Sequence, residues 1–175
     1  MILYLDTSSL VKLYVHEAHS SLVRKWAEEA EIVATCRIAY PETLSAINRR
    51  FRQGDLSEKE WDLLIAKFSG EWELFASIDF DELEAGRLVN LYGLRGFDAV
   101  HLSAAKLLKA TRNDISLSFS SFDRNLNDAA STEGFTILSP GWDVRMSPNL
   151  FKKILRNARG VTNEGITKGK GRDGR

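Results

Sequence analysis

Met1-Ile2-Leu3-Tyr4-Leu5-Asp6-Thr7-Ser8-Ser9-Leu10-Val11-Lys12-Leu13-Tyr14 opens the chain and decides how the rest of it is read. Ile2 to Leu5 is a short, unbroken apolar run, the pattern of a strand covered on both faces. Asp6 closes the run, and Thr7, Ser8 and Ser9 follow, residues whose side chains cap helices. Leu10, Val11, Leu13 and Tyr14 then fall on one helical face. Strand, acidic turn, helix is the unit from which parallel sheets are built.

The same alternation continues outward. A second helix is expected from Ser20 to Ala30 with Leu22, Val23 and Trp26 inward, and a second strand from Ile32 to Thr35. Tyr40-Pro41-Glu42 opens a helix, with proline near the first turn, where its missing N–H is not needed. Leu44, Ile47 and Phe51 form its apolar stripe, and Gly54-Asp55 ends it. Ser57-Glu58-Lys59-Glu60 matches a capping box and starts a helix with Trp61, Leu64, Ile65 and Phe68 inward. Trp72 to Ser77 reads as a strand, Asp79 to Tyr92 as a helix stopped by Gly93, and Phe97 to Ala110 as another helix. Leu117 to Phe122 is a strand, Asp123 to Ala130 is helical, and Phe135 to Leu138 is the last strand. The pattern predicts an α/β protein with a parallel sheet covered by helices.

A chain of 175 residues suffices for one ordinary domain, and 43% hydrophobic with 27% charged residues is the balance of a soluble globular protein. No apolar run approaches the roughly 18 residues of a membrane span. The opening lacks the basic segment of a secretory signal, so a cytoplasmic location with no membrane association is expected. Cys36 is the single cysteine, and three scattered histidines beside it do not suggest zinc. The net charge of zero conceals an asymmetry: residues 1–148 hold 16 Lys/Arg against 22 Asp/Glu (−6), and residues 149–175 hold 8 against 2 (+6). We therefore divide the chain into a domain at 1–148 and a basic tail at 149–175. The tail's end reads as partly disordered, whereas Leu150, Phe151, Ile154 and Leu155 have the spacing of one short helix. Such a tail can contact phosphates without reading sequence.

In an open α/β sheet, ligands bind beyond the carboxyl ends of the strands. Four acids fall at such turns: Asp6 after the first strand, Glu42 in the first turn of its helix, Asp98 at the start of another helix after Arg95-Gly96-Phe97, and Asp123 after the Leu117 to Phe122 strand. Glu28, Glu58, Glu60 and Glu84 lie on helix faces near Lys or Arg and read as solvated charges. Any one of the four acids could serve merely as a helix cap or dipole partner. Gathered together they would repel, and the natural compensation is a hard divalent cation held by oxygen ligands. A site of that kind hydrolyses phosphodiesters with water and needs no covalent nucleophile, for which the sequence offers no evident arrangement.

The local sequences go further. Leu3 to Tyr14 resembles the opening of PIN-domain proteins, especially VapC-type toxins, as do Arg95-Gly96-Phe97-Asp98-Ala99-Val100-His101-Leu102 and Ser121-Phe122-Asp123-Arg124-Asn125-Leu126. Pro41-Glu42-Thr43-Leu44-Ser45-Ala46 looks like the segment that supplies the family's glutamate, and all four segments occur in the family's order over roughly residues 1–138. The resemblance implies a PIN-like three-layer α/β/α sandwich with a central parallel sheet. It also implies that Asp6, Glu42, Asp98 and Asp123 are catalytic carboxylates and ligands to Mg2+ or Mn2+. Ser8 and Ser121 stand at the hydroxyl positions that accompany these acids, although threonine is commoner at the second, and Arg95 would contact phosphate or pair with an acid. The implied activity is an endoribonuclease acting as a toxin, often homodimeric, with RNA as substrate and a cognate antitoxin whose C-terminal segment covers the groove. The alternatives are a catalytically inactive RNA- or protein-binding adaptor and a PIN nuclease of general RNA processing. A phosphatase of the haloacid-dehalogenase type would carry a second Asp where Ser8 stands. His101 reads as a core or hydrogen-bonded histidine; Arg49, Arg50 and Arg52, about two turns after Glu42, as the lining of an RNA path or, more simply, a solvated helix face; Trp26, Trp61 and Trp72 as core or interface.

Overall fold

All four residues of the strand Ile2–Leu5 are buried because it has a parallel neighbour on each side and helices on each face. The structure is a computed structural model that describes residues 1–111 and 116–142. Its elements run β1 (Ile2–Leu5), α1 (Thr7–Tyr14), α2 (Ser20–Glu29), β2 (Ile32–Cys36), α3 (Ala39–Arg52), α4 (Glu58–Glu71), β3 (Ala76–Ile78), α5 (Glu82–Tyr92), α6 (Gly96–Thr111), β4 (Leu117–Ser120), α7 (Arg124–Thr132) and β5 (Thr136–Ile137). The strands form a parallel sheet in the order β3-β2-β1-β4-β5. Leu3 registers with Val33 on one side and with Ser118 on the other.

Side-chain alternation along β1 sorts the layers. Leu3 and Leu5 pack with Leu10 and Tyr14 of α1, Val23 of α2, Ala39 of α3 and Phe68 of α4. Ile2 and Tyr4 point the other way, onto Ala85 and Leu88 of α5, Ala99 and Leu102 of α6, and Ala129 and Ala130 of α7. Helices α1 to α4 thus cover one face and α5 to α7 the other, which is the three-layer α/β/α sandwich expected. The chain steps outward from β1 to β2 and β3, then crosses back over β1 to β4 and β5. Right-handed crossovers put the two sets of helices on opposite faces when the direction of travel reverses. The reversal lies between β1 and β4, and that is where a ligand crevice opens.

Several boundaries differ from the sequence reading. Trp72 to Ser77 is not one strand: Trp72–Leu74 is a 3-10 turn continuing α4, and the strand begins at Ala76. Trp72 packs against Tyr40, Phe68 and Phe75, so this aromatic cluster holds the chain in the turn. Helix α5 starts three residues later than expected, because the Asp81 carboxylate accepts from the Leu83 and Glu84 N–H groups and caps it there. The Ser57–Glu60 capping box forms as read. Trp26, Trp61 and Trp72 all pack against core clusters. The division at residue 148 and the Leu150 to Leu155 helix lie outside the described residues.

Candidate active site

Asp6 ends β1 and caps α1, its carboxylate accepting from the Ser9 N–H at 2.9 Å. The Ser8 hydroxyl donates to both Asp6 oxygens, at 2.8 and 2.9 Å, and the Ser121 hydroxyl to Oδ2 at 2.8 Å. Ser8 in turn accepts from the Phe122 N–H and Ser121 from the Asp123 N–H. Two serines, one in the first turn of α1 and one just past the end of β4, therefore hold one carboxylate and also fix the turn that carries Asp123. Asp6 is only 5% exposed. Burial pushes its carboxyl above the usual range, opposed by the nearby His101 and by the hydrogen bonds from Ser121, Ser9 and Ser8. The Asp6 charge is held against a desolvation penalty by these neighbours.

Glu42, in the first turn of α3, is arranged differently. His101 Nε2 lies 2.9 Å from Glu42 Oε2 and 2.9 Å from Thr7 Oγ1, and the Thr7 hydroxyl also donates to Glu42. Tyr4 OH is 3.4 Å from His101 Nδ1. Assigning the proton to Nε2 lets His101 donate to Glu42 and accept from Tyr4. Burial raises the Glu42 carboxyl, but hydrogen bonds from His101 and Thr7 outweigh it and hold the group below the usual glutamate range. His101 is thus the buried, hydrogen-bonded histidine expected.

The remaining two acids share a cation. Arg95 Nε donates to Asp98 Oδ2 at 2.7 Å, and Nη2 reaches Asp98 Oδ1 at 3.3 Å and Asp123 Oδ2 at 3.1 Å. Arg95 is largely exposed, at 76% of its side-chain surface. Asp98 sits in the first turn of α6 and Asp123 caps α7.

Asp6, Glu42, Asp98 and Asp123 all line one groove of about 600 Å³, together with Ser8, Arg95 and His101. Ser121 stands behind Asp6, fully buried. Among the described residues, no three His, Cys, Asp or Glu side chains converge closely enough as they stand to hold one ion. The donor set nonetheless fits a hard divalent cation. It is all oxygen, one member is desolvated, and a guanidinium already bridges two others.

The groove also contains residues the sequence reading passed over. Lys12 is buried, with Nζ 2.5 Å from Glu17 Oε1 and 4.2 Å from the centre of the Phe122 ring. Its ammonium is held below the usual lysine range by burial and by Arg50. Arg50 pairs with Glu17, and Arg49 and Arg50 line the groove, the first of the two roles the sequence left open for them, while Arg49 is also exposed; Arg52 is not among the lining residues. Glu84 is corrected: it belongs to an ion-pair cluster with Arg87 and Lys106, next to Glu133.

Residues 3–131 match the PIN domain family. The chain is 32% identical to Ribonuclease VapC45 of Mycobacterium tuberculosis CDC 1551 over 140 residues, 76% of this chain and 92% of that protein. It is equally similar, with the same coverage, to Ribonuclease VapC49 of strain H37Rv. Among solved structures, FitAcB from Neisseria gonorrhoeae superposes with a TM-score of 0.57 at 20% identity, covering 80% of this chain and 98% of that one. This last likeness bears on the fold alone.

Proposed function

The chain belongs to the PIN domain family, and from that premise we propose that it is a metal-dependent endoribonuclease, the toxin of a toxin–antitoxin pair, working in the cytoplasm. The observation that carries the chemistry is the gathering of Asp6, Glu42, Asp98 and Asp123 on one groove at the carboxyl edge of the sheet. These four would hold the metal. Bound there, Mg2+ or Mn2+ supplies a Lewis acid and charge neutralisation for phosphodiester hydrolysis by water.

The chain's own residues prepare that chemistry. Ser8 and Ser121 keep the Asp6 oxygens oriented, so one ligand needs no rearrangement. His101 and Thr7 hold Glu42 in its charged form. Arg95 is exposed enough to leave Asp98 and Asp123 and turn to the RNA phosphate, and Lys12, Arg49 and Arg50 offer positive charge along the groove. The names of the relatives, both ribonucleases, support RNA as the substrate; an antitoxin partner and a homodimer are what the family resemblance of the sequence implies.

The test is direct. The purified full chain should cut RNA in Mg2+ or Mn2+ and not in EDTA, and Asp98→Asn should abolish cutting while leaving the melting temperature near that of the wild type. Cutting undiminished in the folded variant would remove the four-carboxylate site from the reading. Growth arrest on expression, relieved by the product of a neighbouring small gene, separates a toxin from a general RNA-processing enzyme.

A further inference from the structure

Phe122 lines both the acidic groove and a second cavity of about 390 Å³, inside the roughly 300–1,000 Å³ range of ligand pockets. His19, Arg124, Asn127 and Trp142 complete its functional lining. His19 stacks on Phe122, with ring centroids 5.9 Å apart and planes inclined by 21°. The backbone of His19 is in the left-handed region, φ 67°, the only non-glycine in that region among the described residues. His19 stands at the N-cap position of α2 without a side-chain capping hydrogen bond, and it lines the cavity.

Two polar atoms in this lining have no partner. Asn127 is 2% exposed; its Nδ2 donates to the Ser121 carbonyl at 2.9 Å, which fixes the amide orientation and leaves Oδ1 unpaired. Trp142 Nε1 is likewise buried without a partner. Such atoms are rare in folded proteins, because each forfeits the hydrogen bond it had in water. Here one is an acceptor and the other a donor, and both residues border the same cavity. The His19–Phe122 stack and the Trp142 side chain give the cavity aromatic walls, on which a flat heteroaromatic ring with donors and acceptors on its edge stacks. The Arg124 side chain adds positive charge beside it.

We propose that this cavity is a base-binding subsite, which seats the nucleotide next to the phosphate being cut and so sets sequence preference. The wall shared through Phe122 makes a base here and a phosphate in the acidic groove parts of one strand. The identity of that strand as RNA rests on the ribonuclease reading above; the affinity of the cavity for a base does not.

The experiment titrates the full chain with AMP, GMP, CMP and UMP, and with ribose 5-phosphate as a baseless control, while NMR follows the Trp142 indole N–H and the His19 ring. Loss of one indole resonance in Trp142→Leu assigns the first. At least one nucleotide should shift both signals saturably, ribose 5-phosphate should not, and Trp142→Leu should weaken that nucleotide by about tenfold. His19→Asn keeps a residue tolerant of the left-handed backbone and removes the stacked ring, so it separates lost stacking from lost folding. Both variants should also flatten the nucleotide preference beside the cut when a randomised oligoribonucleotide is digested and sequenced. No shift in the full chain, an equal shift with ribose 5-phosphate, or unchanged affinity in both variants would overturn the subsite. A chain that binds nucleotides here yet cuts no RNA in either metal would leave the subsite standing and remove the nuclease reading instead.

Discussion

Arg95→Gln should tighten the affinity of the protein for Mn2+. The reasoning starts from the three hydrogen bonds by which the guanidinium spans Asp98 and Asp123. A divalent ion claiming those oxygens must first displace this cation. Exposed ion pairs contribute about 0.2–1 kcal/mol each, so breaking the contacts to two carboxylates opposes the metal by roughly 0.4–2 kcal/mol. Arg95 is 76% exposed, which argues for the lower half, but its contact to Asp98 is two-pronged and that carboxylate is only 16% exposed, which argues for the upper. The middle of the range is about 1 kcal/mol, or roughly a fivefold gain in affinity at 1.4 kcal/mol per tenfold. Glutamine keeps a polar side chain of similar reach and removes the charge. Calorimetric titration of Mn2+ into wild type, Arg95→Gln and Asp98→Asn reads the effect. The first variant should bind more tightly than wild type and the second more weakly. Equal or weaker binding by Arg95→Gln would refute the idea that this arginine holds the place of the metal.

Four further outcomes are expected. Asp6→Asn should relieve growth arrest on expression while the protein stays folded, since the change removes a charge at nearly constant volume and with it a desolvated carboxylate; equal toxicity of a folded variant counts against the nuclease mechanism. His101→Ala should lower stability by about 1–3 kcal/mol in urea denaturation, because it strips Glu42 and Tyr4 of a buried partner; an unchanged midpoint contradicts this. Glu84, held at about 2 chiefly by its hydrogen bond from Arg87, contributes stability that is present above the ordinary glutamate pKa and lost as pH falls toward 2. Glu84→Gln should therefore destabilise the protein at pH 7 by less than about 1 kcal/mol, after solvent screening, with a difference that shrinks as pH falls below the ordinary glutamate range, vanishes only below a pH of about 2, and is smaller in high salt. Deleting residues 150–175, with a balance of +6 over 149–175, should weaken RNA binding and flatten its dependence on salt; an unchanged salt slope removes the tail from RNA binding.

What the sequence revealed and what it hid follow from the range of the forces involved. Ile2 to Leu5 reads as a strand because a doubly covered strand can be apolar throughout, and that is visible in four residues, whereas Leu117 to Ser120 carries two buried serines and showed itself only through Leu117 and Phe119 and the turn beyond them. Asp6 and Asp123 were found because each caps the helix that follows a strand, Asp6 directly after β1 and Asp123 after β4 with two residues intervening. The 3-10 turn at Trp72 was not legible, since it depends on Tyr40, Phe68 and Phe75 meeting it from elsewhere in the chain. Thr7 and Lys12 went unread for the same reason. Their spacing suits an ordinary capping residue and an ordinary helix face, and only packing against Glu42 and Phe122 gives them another role. Arg95 remained ambiguous in sequence between a phosphate contact and an acid partner, and the structure assigns it the acids.

The pairing of β1 with β4 governs when this protein becomes dangerous. Leu5 registers with Ser120, and the Asp6 carboxylate is held by a hydroxyl 115 positions further on. At a synthesis rate of about 5–20 residues per second, roughly 6–23 s separate the emergence of Asp6 from that of Ser121. Through that interval a ribosome carries a fragment in which one acid has its cap and helix but neither its second serine nor the turn bearing Asp123. Truncated products ending before β4 cannot assemble the groove however stable their remaining helices are. The crossover thus works as a delay line: an enzyme directed against RNA is finished only when nearly all of its own folded domain has been made.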